Sequence, residues 1–445
     1  MRFSATEVAT HLGATLVGPD VEIDGVSIDS RSVTTGQLFV PIVAERDGHS
    51  FIAAALEAGA SAYLTTQDPV GGTAVVVEDT AAALMDLGRL ARTRVSGGII
   101  GITGSVGKTT TKDLLRQCMA STFRTAASER SFNNELGLPL TLCNAPDDTE
   151  WAVLEMGARG AGHIDRLTAI ARPDVGIVTR VAMAHVEFFG GLDGVARAKG
   201  ELVESLAADG VAVLNLDDPR VAAMASFSPC PVLGYALEAE ADVRAEDVAL
   251  DDDLRPHFVL VTPWGKGEVR LGLHGLQQVP NALAAAAAAL WCQVPFDAVL
   301  AGLAAATGSP FRMEVHRLAD GPVLVADCYN ANPASTEAAL RSLGAVPASR
   351  RLALLGLMAE LGEATVSEHQ RMAALADTLG IEVIGYQSDL YGPRRVDDVE
   401  AAVALLGALG PGDAALVKGS RVARLEEVVQ RYESVPRGGA PNAGV

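Results

Sequence analysis

The run Gly101-Ile102-Thr103-Gly104-Ser105-Val106-Gly107-Lys108-Thr109-Thr110 has the residue types needed to hold a triphosphate. Glycines let a chain curl until successive backbone N–H groups face phosphate oxygens, and the helix expected to follow (residues 111–120) adds its positive end. Lys108 would reach the β- and γ-phosphates, and the Thr109 hydroxyl would sit on Mg²⁺. Thr103, Gly104, Ser105, Val106, Gly107 and Thr110 complete the candidate phosphate contacts. The spacing is unusual, because Ile102 stands where a P-loop has its first glycine and Gly101 lies one place earlier. A second candidate is Glu155 in Trp151-Ala152-Val153-Leu154-Glu155-Met156-Gly157. An acidic residue at the carboxyl end of a strand beside a P-loop is where Mg²⁺ is held. Third come His185, in Ala184-His185-Val186-Glu187, and Lys199, in Ala196-Arg197-Ala198-Lys199-Gly200-Glu201. An imidazole binds a divalent cation. A neutral lysine amine reacts with CO₂ to a carbamate, an oxygen ligand suited to Mg²⁺. Lysine is scarce: 30 arginines stand against five lysines, at 108, 112, 199, 266 and 418. Such a chain keeps lysine where an ammonium or a neutral amine is chemically required.

These residues need a doubly wound parallel sheet to position them. Continuous apolar runs at 99–103, 151–154, 175–178 and 211–214 read as strands buried on both faces, with helical stretches between. Before them, residues 1–97 read as a small α/β unit with strands at 21–29, from 36 and at 74–77, and helices at 51–59 and 80–94. Gly97-Gly98 marks a boundary. Residues 242–273 read as antiparallel strands turning at Trp264-Gly265-Lys266-Gly267, followed by an Ala-rich helix over 281–292. Near Ser309-Pro310 the pattern restarts, with strands at 323–326, 352–355, 382–384 and 414–417. The Gly/Pro-rich tail, 436–445, is expected to be disordered.

Composition narrows the classes. A chain of 445 residues is too long for one core. With a net charge of −20 and no block of Lys or Arg, it offers no electrostatic footprint for nucleic acid or anionic lipid. The N-terminus lacks an apolar signal region, and the longest apolar stretch, 282–292, falls far short of the ~20 residues that span a bilayer. Cysteines 118, 143, 230, 292 and 328 form no Cys-x-x-Cys pair and read as buried reduced thiols.

Thr103-Gly104-Ser105-Val106-Gly107-Lys108-Thr109-Thr110-Thr111-Lys112 resembles the ATP loop of the Mur ligases of peptidoglycan synthesis, which share the displaced first glycine. Asn133-Asn134-Glu135-Leu136-Gly137-Leu138-Pro139, Glu155-Met156-Gly157-Ala158-Arg159 and Ala198-Lys199-Gly200-Glu201 are similar to motifs of that family, in the same order. Asp327-Cys328-Tyr329-Asn330-Ala331-Asn332-Pro333-Ala334-Ser335 resembles the signature of the member that adds D-Ala-D-Ala to UDP-N-acetylmuramoyl-tripeptide. Met358-Ala359-Glu360-Leu361-Gly362-Glu363 and Val417-Lys418-Gly419-Ser420-Arg421 fit it too. The resemblance covers essentially the whole chain apart from the tail.

That resemblance implies an α/β protein of three domains: a UDP-substrate domain over 1–97, a central doubly wound P-loop ATP domain over 98–309, and a Rossmann-like domain over 310–435 for acceptor binding and nucleotide closure. It implies ATP and two Mg²⁺ ions. Lys108 and Thr109 would hold the phosphates and the first ion, with Glu155 as a ligand, while His185 and a carbamylated Lys199 would hold the second. Catalysis would rest on Lys108, Glu155, His185 and Lys199. Asn281 resembles the residue that reads adenine, and Arg312 and Asp327 the pair brought to the nucleotide from the third domain. Ser30, Arg31, Asp47, Gly48 and His49 match segments associated with the UDP moiety, and Asn134, Asn330, Asn332 and Lys418 are the other expected substrate contacts. At Gln277-Gln278, Leu357, Arg180 and Pro310-Phe311 the chain departs from the family's usual residues. The implied enzyme is a cytoplasmic monomer that meets its two substrates and neither nucleic acid nor membrane. The alternatives are a Mur-type ligase with another acceptor and a catalytically silent nucleotide-binding paralogue. A regulatory GTPase is disfavoured because no lysine stands in an Asn-Lys-x-Asp motif, and a folate-type ligase would not need a UDP-binding first domain.

Overall fold

A computed structural model describes residues 1–128, 132–183, 186–317 and 321–434. His185 and the 436–445 tail lie outside the described residues.

The first unit is built on a sheet ordered Thr15–Val17, Thr73–Val76, Ala62–Thr65, Leu38–Phe39, Val26–Ser27. The single strand expected over 21–29 is two. Glu22–Asp24 pairs with Arg2–Ser4, and Val26–Ser27 pairs with Leu38–Phe39. Gly25 breaks it, at φ +83°, where a Cβ would come within 2.3 Å of Asn144 Oδ1. Asn144 belongs to the middle unit and bonds both Val26 N (2.9 Å) and Val26 O (2.8 Å). The break is therefore imposed from a distance of more than a hundred residues.

Among the described residues, the middle unit holds one nine-stranded sheet. Its order is Gly265–Arg270, Pro256–Thr262, Val243–Leu250, Val232–Ala236, Val211–Asn215, Val175–Val178, Gly98–Thr103, Trp151–Glu155, Thr125–Ala127. The two hairpin strands run antiparallel and extend the parallel sheet at one edge. Lys266 and Gly267, expected in their turn, pair within the strand, so the turn is at 263–264. The P-loop strand Gly98–Thr103 is buried throughout, as its unbroken apolar run requires. Its following helix, Lys108–Met119, packs with Gln278–Trp291 and Phe296–Ala305 on one face. Helices Gly137–Cys143 and His163–Ala171 cover the other face. The chain thus leaves the adjacent strands Gly98–Thr103 and Trp151–Glu155 toward opposite faces. A crevice opens there beyond the strands' carboxyl ends, the position where open α/β sheets bind ligands.

The third unit repeats the device with the sheet order Glu314–Arg317, Val323–Ala326, Ala414–Lys418, Arg351–Leu355, Glu382–Tyr386, Arg395–Val396. Helix Pro333–Ala345, after Val323–Ala326, packs on one face, and Leu425–Ser434, after Ala414–Lys418, packs on the other. A second crevice therefore faces the first. The two joints differ. First and middle units share one core, in which Leu84 and Leu87 meet Leu138, Ile164 and Ile170. The third is attached more thinly, through Leu254, in the turn between Val243–Leu250 and Pro256–Thr262, seated with Met313 and Leu340, through Arg317 Nε donating to Asp253 Oδ1 at 2.8 Å, and through Ser342 Oγ donating to Gln277 Oε1 at 2.9 Å. All five cysteines are buried and unpaired. No helix among the described residues is long and apolar enough to cross a membrane.

Candidate active site

The two crevices bound a cleft of 910 Å³. On one side the P-loop leaves its strand at Gly104 (φ +147°) and enters its helix at Gly107 (φ +88°). Both must be glycine: a Cβ on Gly104 would lie 1.9 Å from Thr179 Oγ1, and one on Gly107 2.3 Å from Asn281 Oδ1. Thr179 ties the loop down by donating to Val106 O (2.6 Å). Ser105 Oγ donates to Ala182 O (2.9 Å), and Thr103 Oγ1 to Met156 O (2.9 Å). The helix has no side-chain N-cap, so its first N–H groups are left to the cleft. Lys108 Nζ folds back onto Gly104 O at 2.5 Å. Lys112, one of the rare lysines, is tied to Ser128 O (2.9 Å) and Asp113 (3.0 Å) under the loop.

Glu155 ends its strand inside the same cleft, 1% exposed, and its Oε1 has no hydrogen-bond partner among the described residues. A buried carboxylate oxygen without a partner is costly unless a cation satisfies it. Thr109, also buried, shares the cleft. This donor set fits a hard, oxygen-loving ion such as Mg²⁺. Lys199 reaches the cleft from helix Leu192–Glu204 and is 4% exposed. Burial, then the Lys108 charge, brings its ammonium pKa down to about 7, while Glu201 opposes the shift. Burial therefore favours the neutral amine of Lys199 far more than water would. Lys108 is also pushed down, by desolvation first and by Arg312, with Glu155 opposing. The structure thus gathers Lys108, Thr109, Glu155 and Lys199. No cluster of three or more metal-ligating His, Cys, Asp or Glu side chains exists among the described residues.

The opposite wall comes from the third unit. Arg312 stacks on Tyr329, its guanidinium carbon 4.2 Å from the ring centroid, and its buried Nε lacks a partner among the described residues. Asp327 accepts from Lys418 Nζ at 2.6 Å and from Met313 N at 3.2 Å. Three expected substrate contacts on this wall are engaged in the fold. Lys418 is 1% exposed. Asn330 Oδ1 accepts from Ala331 N, and Asn332 caps helix Pro333–Ala345 in a reciprocal box with Ser335. Asn134 likewise accepts from Gly137 N (2.8 Å) at the start of its helix. Asn281 lines the cleft and donates to Gln278 Oε1 (2.8 Å).

The first unit's candidates do not line this cleft. Arg31 grips Asp29 through Nε (2.9 Å) and Nη2 (2.7 Å), beside Ser30. His49 is buried and holds two loops together. Thr66 N–H donates to its Nε2 (3.1 Å), so Nδ1 carries the proton and donates to Asp47 Oδ1 (2.6 Å). Gly48 is packed against Ile42, where a Cβ would meet backbone at 2.6 Å. Residues not singled out from sequence also matter. Thr179 braces the P-loop, Ser420 Oγ joins Ala331 O (3.1 Å) to Ala359 N (2.9 Å), and Arg421 and Glu360 face the cleft. The one signal of Thr179 was position, just beyond the carboxyl end of its strand, while Ser420, Arg421 and Glu360 stood within runs that fit the family but carried no assigned role.

Fold and site together define a P-loop protein whose phosphate-binding cleft is walled by a second, Rossmann-like domain. Three family descriptions match in sequence: "Mur ligase family, catalytic domain" over residues 22–86, "Mur ligase middle domain" over 102–289, and "Mur ligase, glutamate ligase domain" over 311–421. The UDP-N-acetylmuramoyl-tripeptide–D-alanyl-D-alanine ligase of Mycobacterium bovis is 40% identical, over 91% of each chain. Among solved structures, MurF from Acinetobacter baumannii superposes with a TM-score of 0.89 at 27% identity, covering 98% of this chain and 99% of that one. MurF ligase from Thermotoga maritima in complex with ADP gives 0.83 at 28%, covering 92% and 97%. The chain belongs to the Mur ligase family.

Proposed function

We infer that the chain is an ATP-dependent ligase joining D-Ala-D-Ala to UDP-N-acetylmuramoyl-tripeptide, yielding the pentapeptide precursor of peptidoglycan. The observation that carries this reading is the partnerless buried oxygen of Glu155 beside the P-loop lysine. The name of the M. bovis relative supplies the substrates. The tripeptide carboxylate attacks the γ-phosphorus of ATP, ADP leaves, and an acyl phosphate forms. The dipeptide amine then attacks the acyl carbon, and phosphate leaves from the tetrahedral intermediate. The first step brings two anions together. Two unit charges ~4 Å apart repel by roughly 4 kcal/mol at an effective dielectric of about 20, or about three factors of ten in rate. Lys108 and Arg312 offset that repulsion, and the P-loop N–H groups orient the phosphates. Mg²⁺, when bound, neutralises phosphate oxygens, with Thr109 and Glu155 as its protein contacts.

For Lys199 the proposed state is a carbamate. Its neutral amine adds to CO₂ and loses a proton, replacing a buried cation with an anion that, with His185, would serve a second Mg²⁺. The remaining assignments complete the proposal. Asn281 lies on the adenine side, and Arg312 and Asp327 on the nucleotide from the third domain. The first domain, with Ser30, Arg31, Asp47, Gly48 and His49, takes the UDP moiety, and Asn134, Asn330, Asn332 and Lys418 shape the walls around the substrates. The domain limits 1–97, 98–309 and 310–435, a monomeric state and a cytoplasmic location belong to the same proposal. The test is phosphate release with UDP-N-acetylmuramoyl-tripeptide, with and without D-Ala-D-Ala. Release dependent on the dipeptide and lost in Lys108→Ala is expected. Release indifferent to the dipeptide, or intact in that variant, would end the assignment.

A further inference from the structure

Arg312 does not sit on a helix or strand. It lies in the segment that joins the middle unit to the third, between helix Phe296–Ala305 and strand Glu314–Arg317. Its neighbours on both sides, Phe311 (φ +59°) and Met313 (φ +54°), are in the left-handed region that L residues rarely adopt. Such a backbone persists only where its surroundings fix it, and it clusters where geometry serves function. Here three bonds fix it. Phe311 N donates to Glu314 Oε2 (3.1 Å), Tyr329 N donates to Phe311 O (3.2 Å), and Met313 N donates to Asp327 Oδ1 (3.2 Å). Asp327 is itself held by Lys418. The loop after strand Val323–Ala326 therefore grips the joining segment on either side of Arg312, and its Tyr329 ring lies against the guanidinium. The buried Nε lacks a partner among the described residues, while the side chain lines the cleft with Gly104–Lys108.

We propose that Tyr329 is a positioning residue for the nucleotide: its ring and backbone N–H together aim the Arg312 guanidinium at the triphosphate, so that this charge arrives only when the third unit is seated. The proposal rests on the cleft's binding ATP. A flat cationic group over an aromatic face is held by the ring's quadrupole, and the hold strengthens when water is excluded. The ring is what matters in this account, because loss of the aromatic face frees a long side chain that must then pay its own ordering entropy on each nucleotide. The nearby Lys108 ammonium feels the Arg312 charge, which agrees with a guanidinium aimed at the same phosphates.

The experiment is a double-mutant cycle on the full chain. KM values for ATP and D-Ala-D-Ala, kcat, and the affinity for a non-hydrolysable ATP analogue with Mg²⁺ are measured in wild type, Tyr329→Phe, Tyr329→Met, Arg312→Ala and the Met/Ala double variant. Tyr329→Met is expected to lose about tenfold in kcat/KM for ATP and in analogue affinity. The KM for D-Ala-D-Ala should be unmoved, and Tyr329→Phe should retain activity within about threefold. In the Arg312→Ala background the Tyr329→Met change should add less than about twofold. A full tenfold loss in that background, or equal losses for Phe and Met, overturns the proposal. If Tyr329→Met fails to fold, Arg312→Lys takes its place. It keeps the charge without the planar face, and wild-type behaviour there overturns the proposal equally. Failure of the wild type to bind the analogue would sink the ATP reading instead, and the two failures are distinct.

Discussion

On the P-loop wall of the cleft, Glu155 keeps a buried oxygen without a partner and Lys199 keeps a buried amine brought down to about 7. On the facing wall, Lys418 is just as deep in protein and Asp327 is partly buried, and the two are bonded to each other at 2.6 Å. Asn332, buried on that wall, and the exposed Asn330 are also engaged with their own backbone. The difference separates two uses of buried polarity. Charge left uncompensated in the apoprotein is charge available to a ligand, whereas charge already paired holds loops in place. Substitutions of Lys108, Glu155 or Lys199 should therefore remove activity and spare the fold, whereas those of Lys418 or Asn332 should cost stability. Arg312, whose buried Nε has no partner among the described residues, groups with the first set although it stands on the facing wall.

The largest effect is expected for Lys108→Ala, with turnover down about a thousandfold or more and an unchanged melting temperature, read by phosphate release and thermal denaturation. Next comes Lys418→Met, which leaves the partly buried Asp327 without its cation. A loss of roughly 3 kcal/mol in urea denaturation is expected, and a variant as stable as wild type would erase the contrast between the walls. Glu155→Gln keeps the shape but removes the charge. Turnover about a hundredfold lower, with a raised Mg²⁺ requirement and no loss of thermal stability, is expected, because the amide no longer leaves a buried anion unsatisfied.

Lys199 predicts a pH dependence whose sign follows from its lowered pKa. The neutral amine that the proposed carbamate would need falls about tenfold for each unit below pH 7, so without added bicarbonate activity should drop through that range. The folded chain binds fewer protons at this lysine than the unfolded chain between pH 7 and about 10.4, so the cost of burying it is full below 7 and fades as pH rises. Lys199→Met should accordingly stabilise more at pH 6 than at pH 9. A gain independent of pH would remove Lys199 from the first wall's chemistry. The smallest effect is Asn332→Ala. Losing a helix N-cap costs about 1 kcal/mol, seen as a melting shift of a few degrees with KM for D-Ala-D-Ala unchanged.

Much of this architecture was legible in residues alone. The strands 99–103, 151–154, 175–178 and 414–417 were readable because parallel strands covered on both faces must be apolar without interruption. The P-loop was readable because glycine, lysine and threonine at that spacing have few other uses. What remained illegible had a partner far away in sequence. Nothing near Gly25 announces that Asn144 will occupy the space beside it. Short edge strands such as Arg395–Val396 and Thr125–Ala127 carry too few residues to show a period. Asparagine is equally suited to ligand contact and to capping, so Asn332 and Asn134 could not be assigned until their N–H partners were known. Tyr329 was visible within a motif, but its stacking on Arg312 depends on how the third unit meets the joining segment.

The account turns on the carboxylate attacking ATP inside this cleft, and isotope labelling follows that oxygen directly. With both terminal carboxylate oxygens of the tripeptide labelled with ¹⁸O, the phosphate released during ligation should carry one ¹⁸O, the other remaining in the new amide carbonyl. Phosphate released without label, alongside amide formation, would contradict it.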